Sequence, residues 1–428
     1  MKHIEKRFDA IVVGAGPAGA TAAYQLAKMG YKTLLLERGR TPGSKSMFGG
    51  RVYIRPLKDI YEDFEKKAPI HRWVKKERIS LVYDESATTI EYTSNKTTSF
   101  TTYLTQLSHW MANQAVEQGA ILLTEIRVDR LYKEDGRYRG VVVEDEVVKS
   151  DVVIDAEGIN RLLLEREGIV EKLSPDHVAL GVKEVIKLEP DTINNLFGLD
   201  NNEGLSWILM GDVTDGIPGG AFIYTNRDSV SLGIVVLLGE AAKRIDRHIY
   251  ILVEELRNHP LLYKYFKDGR IMEYSTHLIP EDPSRLMPKK LYYDGLMIVG
   301  DAAGLLLNQG YTYRGVDFAA YSGYIAAKAY EKAHGNGGVS EENLRVYQKM
   351  LEDSFVMKML RKFSSVSRLM KKERLFSTYP QLINLLASKL MHIEYDSYKL
   401  KEAFDEARKG RVGLINIIKD LWEVSRKL

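Results

Sequence analysis

The chain has 428 residues, 45% apolar and 28% charged, which describes a globular protein large enough for more than one sizeable core rather than a disordered one. A formal net charge of +3 is too small for a nucleic-acid binder, so no nucleic-acid partner is expected. The absence of cysteine excludes disulfides, thiolate metal sites, iron–sulfur ligation by this chain and a cysteine nucleophile.

The charged start, MKHIEKRFDA, enters a strand at once and shows no signal peptide. From Phe8 to Arg38 the sequence reads as one βαβ unit. An apolar run at Ala10 to Val13 meets Gly14-Ala15-Gly16-Pro17-Ala18-Gly19, a small-residue helix follows to about Met29, and a second apolar run ends at Glu37. Gly14 permits the tight turn, Gly16 lets backbone N–H groups approach a pyrophosphate, and Gly19 lets the helix lie close on the sheet. Pro17 suits a first helical turn, where its missing N–H is no loss. An anion is favoured at that helix N-terminus, and Glu37 is placed to accept hydrogen bonds from the ribose hydroxyls of an adenosine.

RGRTPGSKSMFGGRVYIRPL then reads as a functional loop, with Gly49-Gly50 as backbone that can lie against a flat ligand. Residues 59 to 78 read as a charged surface segment and 79 to 102 as short strands. A helix is expected at Tyr103 to Gln118, with Leu104, Leu107, Met111 and Ala115 on one face. Strands follow at Ile121 to Leu131, Arg139 to Val143 and Val147 to Ala156.

From about Pro175 to Pro288 the texture turns to alternation, as in AFIYTNRDSVSLGIVVLL, with a hairpin connection at Asn226 to Asp228 and one helix, Arg247 to Phe266. The first texture returns at Leu296 to Val299, which runs into Gly300-Asp301-Ala302-Ala303-Gly304 and then a helix from about Arg314. Everything after Val339 reads as helical. There Met357 to Phe376 combines Leu360, Phe363, Val366 and Leu369/Met370 at helical spacing with seven basic residues. Such a segment can rest on an anionic membrane or dock an acidic partner, and equally can be a solvated basic face on a packed helix. The stretch Leu205, Trp207, Ile208, Leu209 and Met210 reads as a loop and a second candidate for membrane contact. No run of about 18 apolar residues suggests a spanning helix.

One glycine fingerprint without a second points to a single large dinucleotide, FAD. Its adenosine end would lie on Gly14, Gly16, Pro17, Ala18, Gly19, Glu37 and Arg38, and its ribityl end at Gly300 and Asp301. The N-terminus of the following helix would face the flavin pyrimidine and stabilise the anion formed on reduction. His71, His109, His177, His248, His259 and His277 are scattered, without metal-ligand spacing. Chemistry is therefore expected to belong to the cofactor.

GAGPAG, PGSKSMFGGRVY, GGAFIYTNRDSVSLGIVV, YSTHLIPED and GLMIVGDAAGLLLNQGYTYRGVDFA together resemble the FixC family, relatives of electron-transfer-flavoprotein:quinone oxidoreductase in the glutathione-reductase-like FAD superfamily. The resemblance runs from about Phe8 to Lys332, with looser likeness through FSTYPQLINLL onward. It implies noncovalent FAD, electrons from a two-subunit electron-transfer flavoprotein, membrane quinone as acceptor, and a ferredoxin-like FixX subunit holding the iron–sulfur cluster. In this family the complex can also bifurcate electrons between quinone and ferredoxin.

Carried over, Gly49 and Gly50 match the loop over the isoalloxazine, with Gly310, Tyr311 and Thr312 at the pyrimidine edge. Tyr311 and Thr312 are the catalytic candidates, Thr312 tuning the flavin by hydrogen bonding. Two departures stand out: Ser46 and Phe48 replace an expected Asn and small residue, and Glu281-Asp282-Pro283 replaces a glycine-rich continuation.

The expected fold is α/β. A discontinuous Rossmann-like FAD-binding domain (1–78, 103–174, 289–338) is joined to a β-rich substrate or quinone domain (79–102, 175–288) and a helical C-terminal region (339–428). The expected location is cytoplasmic, peripheral on the inner face of the cell membrane. A geranylgeranyl-reductase-like enzyme saturating isoprenoid double bonds is the alternative; its usual cysteine-bearing motif and YxWxFP-type strand are replaced here by FIYTNRDS.

Overall fold

The computed structural model describes residues 7–45, 49–244, 246–395 and 397–428. Its organising layer is a sheet whose parallel core runs Leu296–Ile298, Glu146–Asp155, Arg7–Val13, Thr33–Leu36, Ile121–Leu123. These strands are near-continuous apolar runs because both faces are covered, as a parallel sheet requires. On one face Pro17–Lys28 packs between Leu104–Glu117 and Val316–Gly335. The backbones of the first and last of this trio nearly touch: a Cβ on Gly323 would lie 2.0 Å from the Ala18 carbonyl oxygen. The hairpin Arg137–Val143/Glu146–Asp155 extends the sheet antiparallel.

The second sheet runs Arg270–Pro280, Val178–Lys187, Ser229–Leu237, Gly219–Thr225, Glu203–Gly211, Arg72–Tyr83, Ser99–Tyr103, Gly49–Tyr53, with Ser86–Thr93 added to Arg72–Tyr83. It is antiparallel except where Glu203–Gly211 meets Arg72–Tyr83. Two sequence blocks, 49–103 and 178–280, are therefore joined by one parallel seam. The hairpin at Asn226 to Asp228 locks that seam from the side: Arg72 Nε donates to the Asn226 carbonyl at 2.6 Å, and Thr101 Oγ1 donates to the Thr225 carbonyl at 2.8 Å.

Several expectations need correction. Gly49-Gly50 begins a strand rather than lying in a loop, and the boundary expected at 78/79 falls inside Arg72–Tyr83. Ile121 to Leu131 is not one strand. Glu125 takes a left-handed φ of 59°, and Ile126 N donates to the Glu37 carbonyl at 2.9 Å, so the chain leaves the sheet to close the end of its neighbour. The single helix expected at Arg247 to Phe266 is two, Tyr250–Asn258 and Tyr263–Phe266, separated at Pro260, whose ring disfavours helix at the preceding residue. Pro190–Phe197 and Leu238–Arg244 are further helices in that region. Met357 to Phe376 is broken into Phe355–Lys362, Val366–Leu369 and a short turn at Glu373–Leu375. Its apolar residues Leu360, Phe363, Val366 and Met370 are buried in the main core, so they offer no face to a membrane. Ser46 and Phe48 lie outside the described residues.

Candidate functional site

The site grows from the carboxyl end of the first strand. Gly14 has a φ of +100°, and a Cβ there would stand 2.4 Å from the Ala156 carbonyl oxygen, so the turn tolerates only glycine. A Cβ on Gly19 would lie 1.9 Å from the Gly14 carbonyl, which seats the helix on the turn. Gly16, by contrast, meets nothing within 4 Å and lines an open cavity at the N-terminus of Pro17–Lys28. That is the geometry an approaching pyrophosphate needs. Glu37 is buried, with Oε2 accepting from Ala15 N at 3.0 Å and Oε1 from Gly39 N at 2.6 Å. A carboxylate has acceptor sites for further donors, so this use braces the turn and leaves room for a ribose hydroxyl. Arg38 lines the same cavity.

The other end forms where Leu296–Ile298 exits into Gly300 and Asp301. The Asp301 carboxylate lines the cavity, and among the described residues no donor reaches it. Burial lifts its pKa to about 6. Beyond it the ribbon Leu307–Asn308/Tyr313–Arg314 carries the turn Gln309 to Thr312, closed by Gln309 N donating to the Thr312 carbonyl at 2.9 Å. Gly310, Tyr311 and Thr312 all line the cavity. Thr312 is buried, whereas Tyr311 is exposed at the turn's tip; burial raises the pKa of the neighbouring Tyr53 phenol, with Thr312 among the groups pulling it down. The helix Val316–Gly335 starts at the cavity wall as expected, but Asp317 sits in its first turn, ion-paired to Arg314. That carboxylate shares the helix N-terminus with any ligand, and Arg314 offsets its charge.

The second sheet supplies an apolar wall: Ile208, Met210, Phe222, Tyr224 and Leu278. The stretch Leu205 to Met210 is thus a buried strand rather than a membrane-facing loop; alternate side chains enter the core and the cavity. From the strand of the glycine pair, Arg51, Val52 and Tyr53 line the cavity; Gly50 does not. His277 also lines it, held below its ordinary pKa by burial, with Arg38 adding to the effect, so it is neutral near pH 7.

The cavity is about 490 Å³ and contains both predicted ends of the dinucleotide site. An open glycine cradle at one end and a half-buried carboxylate without a side-chain partner among the described residues at the other fit FAD. Sequence reasoning did not single out Tyr53 and Arg314. The Arg314 guanidinium sits 4.5 Å from the Tyr53 ring centroid and 5.1 Å from that of Phe318, tying the Thr312 ribbon to the second sheet. The RGVD spacing, which pairs Arg314 with Asp317 one helical turn on, was the available signal.

Residues 9–164 match the FAD dependent oxidoreductase family model, and residues 356–428 match the ETF-QO/FixC family C-terminal domain. The chain is 37% identical over 97% of its length, and 98% of the relative's, to the probable electron transfer flavoprotein-quinone oxidoreductase YdiS of Escherichia coli K12. It is 38% identical to protein FixC of Bradyrhizobium diazoefficiens, covering 91% of this chain and 92% of that one. Among solved structures, a geranylgeranyl bacteriochlorophyll reductase-like protein from Thermoplasma acidophilum superposes with a TM-score of 0.72 at 22% identity, covering 98% and 99% of the two chains.

Proposed function

The chain belongs to the family of FixC proteins and electron transfer flavoprotein-quinone oxidoreductases, and on that premise we propose that it takes electrons from a two-subunit electron transfer flavoprotein and passes them to a membrane quinone. It is a FAD-dependent oxidoreductase. When bound, FAD supplies a ring that accepts and passes on electrons. The residues of this chain bind and orient it. Gly14, Gly16 and Gly19 with Pro17 and Ala18 cradle the pyrophosphate; Glu37 and Arg38 face the adenosine; Asp301, after Gly300, takes a ribityl hydroxyl; Gly310 to Thr312 hold the pyrimidine edge. The strand of Gly49 and Gly50 backs the ring through Tyr53.

The observation that carries the reading is continuity: one cavity joins the dinucleotide cradle to an apolar wall suited to a lipid-soluble acceptor. The fold likeness to the geranylgeranyl reductase-like protein shows shared architecture and does not favour the isoprenoid reaction. Since the chain has no cysteine, any iron–sulfur cluster belongs to a separate ferredoxin-like subunit.

Among the described residues no helix is long and apolar enough to cross a membrane. Contact with a bilayer is assigned instead to the helix Leu414–Lys427. Its acids Asp420 and Glu423 turn inward to Lys372 and Arg374, while Ile415, Ile418, Leu421 and Trp422 are more than 60% exposed, flanked by Lys419 and Arg426. Apolar residues with a tryptophan and flanking cations suit an anionic lipid interface. The helix ends against a residue of the cavity wall: Leu428 Cδ2 is 2.5 Å from where a Cβ on Gly310 would be.

The test is anaerobic stopped-flow spectroscopy of the flavin-loaded protein, reduced with dithionite and mixed with a short-chain quinone, with NADH added to oxidised protein as control. Rapid quinone-driven reoxidation without direct NADH reduction is expected. Inertness to quinone, or rapid reduction by NADH, would overturn the reading.

A further inference from the structure

Glu281 follows the strand Arg270–Pro280 and is fully buried, yet it does not line the flavin cavity. Its carboxyl oxygens are spent on the ribbon Leu307–Asn308/Tyr313–Arg314, one on each strand. Oε2 accepts from the Tyr313 hydroxyl at 2.6 Å, and Oε1 accepts from Asn308 Nδ2 at 2.8 Å. The backbone of Glu281 is tied elsewhere: its N–H donates to the His177 carbonyl at 3.0 Å, and its carbonyl accepts from Ser367 Oγ at 2.8 Å. The side chain is therefore a fixed post to which both strands of the ribbon are fastened.

Asn308, also buried and outside the flavin cavity, passes this anchorage to the turn. Its Oδ1 accepts from Gly310 N at 2.7 Å, while Gln309 N donates to the Thr312 carbonyl at 2.9 Å. Those two N–H groups are used up inside the turn. The next two, of Tyr311 and Thr312, meet no acceptor among the described residues and belong to the cavity wall. They are donors for a flavin pyrimidine, and donors held in place favour the more negative reduced ring over the oxidised one. Gly310, at a φ of +86°, adds no stiffness of its own, so the Asn308 bond decides where the turn lies.

We propose that Glu281 is a positioning residue: by fastening Asn308 and Tyr313 to one carboxyl, it holds the turn at Gly310 to Thr312 where its free N–H groups stabilise the reduced flavin, and so raises the flavin's potential. Glu281 acts only through the ribbon and passes no proton or electron. Burial pushes its pKa up to about 8, with Asp282 adding to the rise and Tyr313, Lys371 and Asn308 opposing it. At neutral pH it is a neutral acid, which keeps both contacts by accepting from Asn308 and sharing a hydrogen with the Tyr313 oxygen. A glutamine amide can do the same. A leucine can do neither, and leaves two buried polar groups without a partner. The inference rests on the reading that puts the flavin pyrimidine at this turn.

The test separates that placement from the clamp. Amide exchange across 307–314 is followed in flavin-stripped and flavin-loaded wild type, and flavin should slow it at Tyr311 and Thr312. No protection there would remove the placement and, with it, the proposal. In stripped protein, Glu281→Leu and Asn308→Ala should speed exchange of the turn several-fold, whereas Glu281→Gln should leave it at the wild-type rate. In loaded protein at neutral pH, the first two should weaken binding of reduced relative to oxidised flavin at least about tenfold, a fall of about 30 mV in the two-electron midpoint potential. Glu281→Gln should retain the wild-type potential. A turn that flavin protects, together with a wild-type potential in Glu281→Leu, would overturn the clamp and leave the placement standing. If that variant does not fold or hold flavin, Asn308→Ala decides, since it cuts the bonds to Glu281 and Gly310 from outside the flavin cavity, and a wild-type potential there is equally fatal.

Discussion

Asp301 is a half-buried carboxylate on the cavity wall. In flavin-stripped protein its pKa, lifted to about 6 by burial, means that ionisation opposes the fold. The sign follows: with a raised folded-state pKa, the stripped protein is most stable below the unfolded pKa near 4 and loses stability as pH rises through about 6. Asp301→Ala should therefore raise the melting temperature of stripped protein at pH 8, and the gain should vanish near pH 4. The same variant should weaken FAD binding by about 10- to 100-fold, since a hydrogen bond to a charged group is lost. Unchanged flavin occupancy in the purified variant would remove Asp301 from the site. This residue was legible in the sequence because a strand exit followed by GDAAG marks a place whatever the rest of the fold does. Glu37 was legible in position, but its two bonds to the turn at Ala15 and Gly39 were not, since they depend on how the next loop folds back. The burial of Glu281 left no local trace: an acidic pair before a proline carries no sign of the Asn308 and Tyr313 side chains that meet it.

At the scale of the element, amphipathicity in a sequence says that a helix has two faces without saying which faces the protein. Met357 to Phe376 drew attention through its charges, yet its apolar residues fill the core and its basic residues Lys358, Arg361, Lys362, Arg368 and Lys371 decorate the outside. Leu414–Lys427 has the opposite arrangement, with ion pairs inward and apolar residues outward, because Lys372 and Arg374 stand beneath it to receive Asp420 and Glu423. Only the pairing across the fold distinguishes the two cases. Ile418→Glu with Trp422→Glu should reduce co-sedimentation with phosphatidylglycerol vesicles by at least about tenfold while moving stability by no more than about 0.5 kcal/mol, as expected of exposed positions. Neutralising Lys358, Arg361 and Lys362 should instead lower the salt sensitivity of binding with a smaller loss. Vesicle binding that survives the double variant would move the membrane contact elsewhere.

At the scale of the whole molecule, residues of both sheets line one cavity, and Met370 brings the C-terminal region to it. The change of texture near Pro175 and its reversal near Leu296 made most of this interleaving legible. The block 49–103 escaped, because its place in the second sheet depends on the parallel seam with Glu203–Gly211, and pairing between distant segments has no local signature. The last helix joins this assembly largely through charge. Asp420 accepts from Arg374 Nε at 2.8 Å, Tyr379 Oη at 2.6 Å and Lys372 Nζ at 3.2 Å. Hydrogen bonding to Arg374 first, then to Tyr379 and Lys372, holds its pKa at about 2, against desolvation. A depressed carboxylate pKa stabilises above the unfolded value near 4, and that contribution is lost as pH falls toward 2. The helix should therefore be the first element to detach in acid, ahead of the apolar core. Asp420→Asn should reproduce that detachment at neutral pH. Amide exchange and limited trypsin cleavage across 409–427 should accelerate several-fold, with little change in the main melting transition. Because Leu428 packs against Gly310, the same variant should alter the visible circular dichroism of the bound flavin and raise the KM for quinone more than it lowers kcat. Exchange across that helix identical to wild type would mean that Ile417 and its apolar neighbours hold it without the charges.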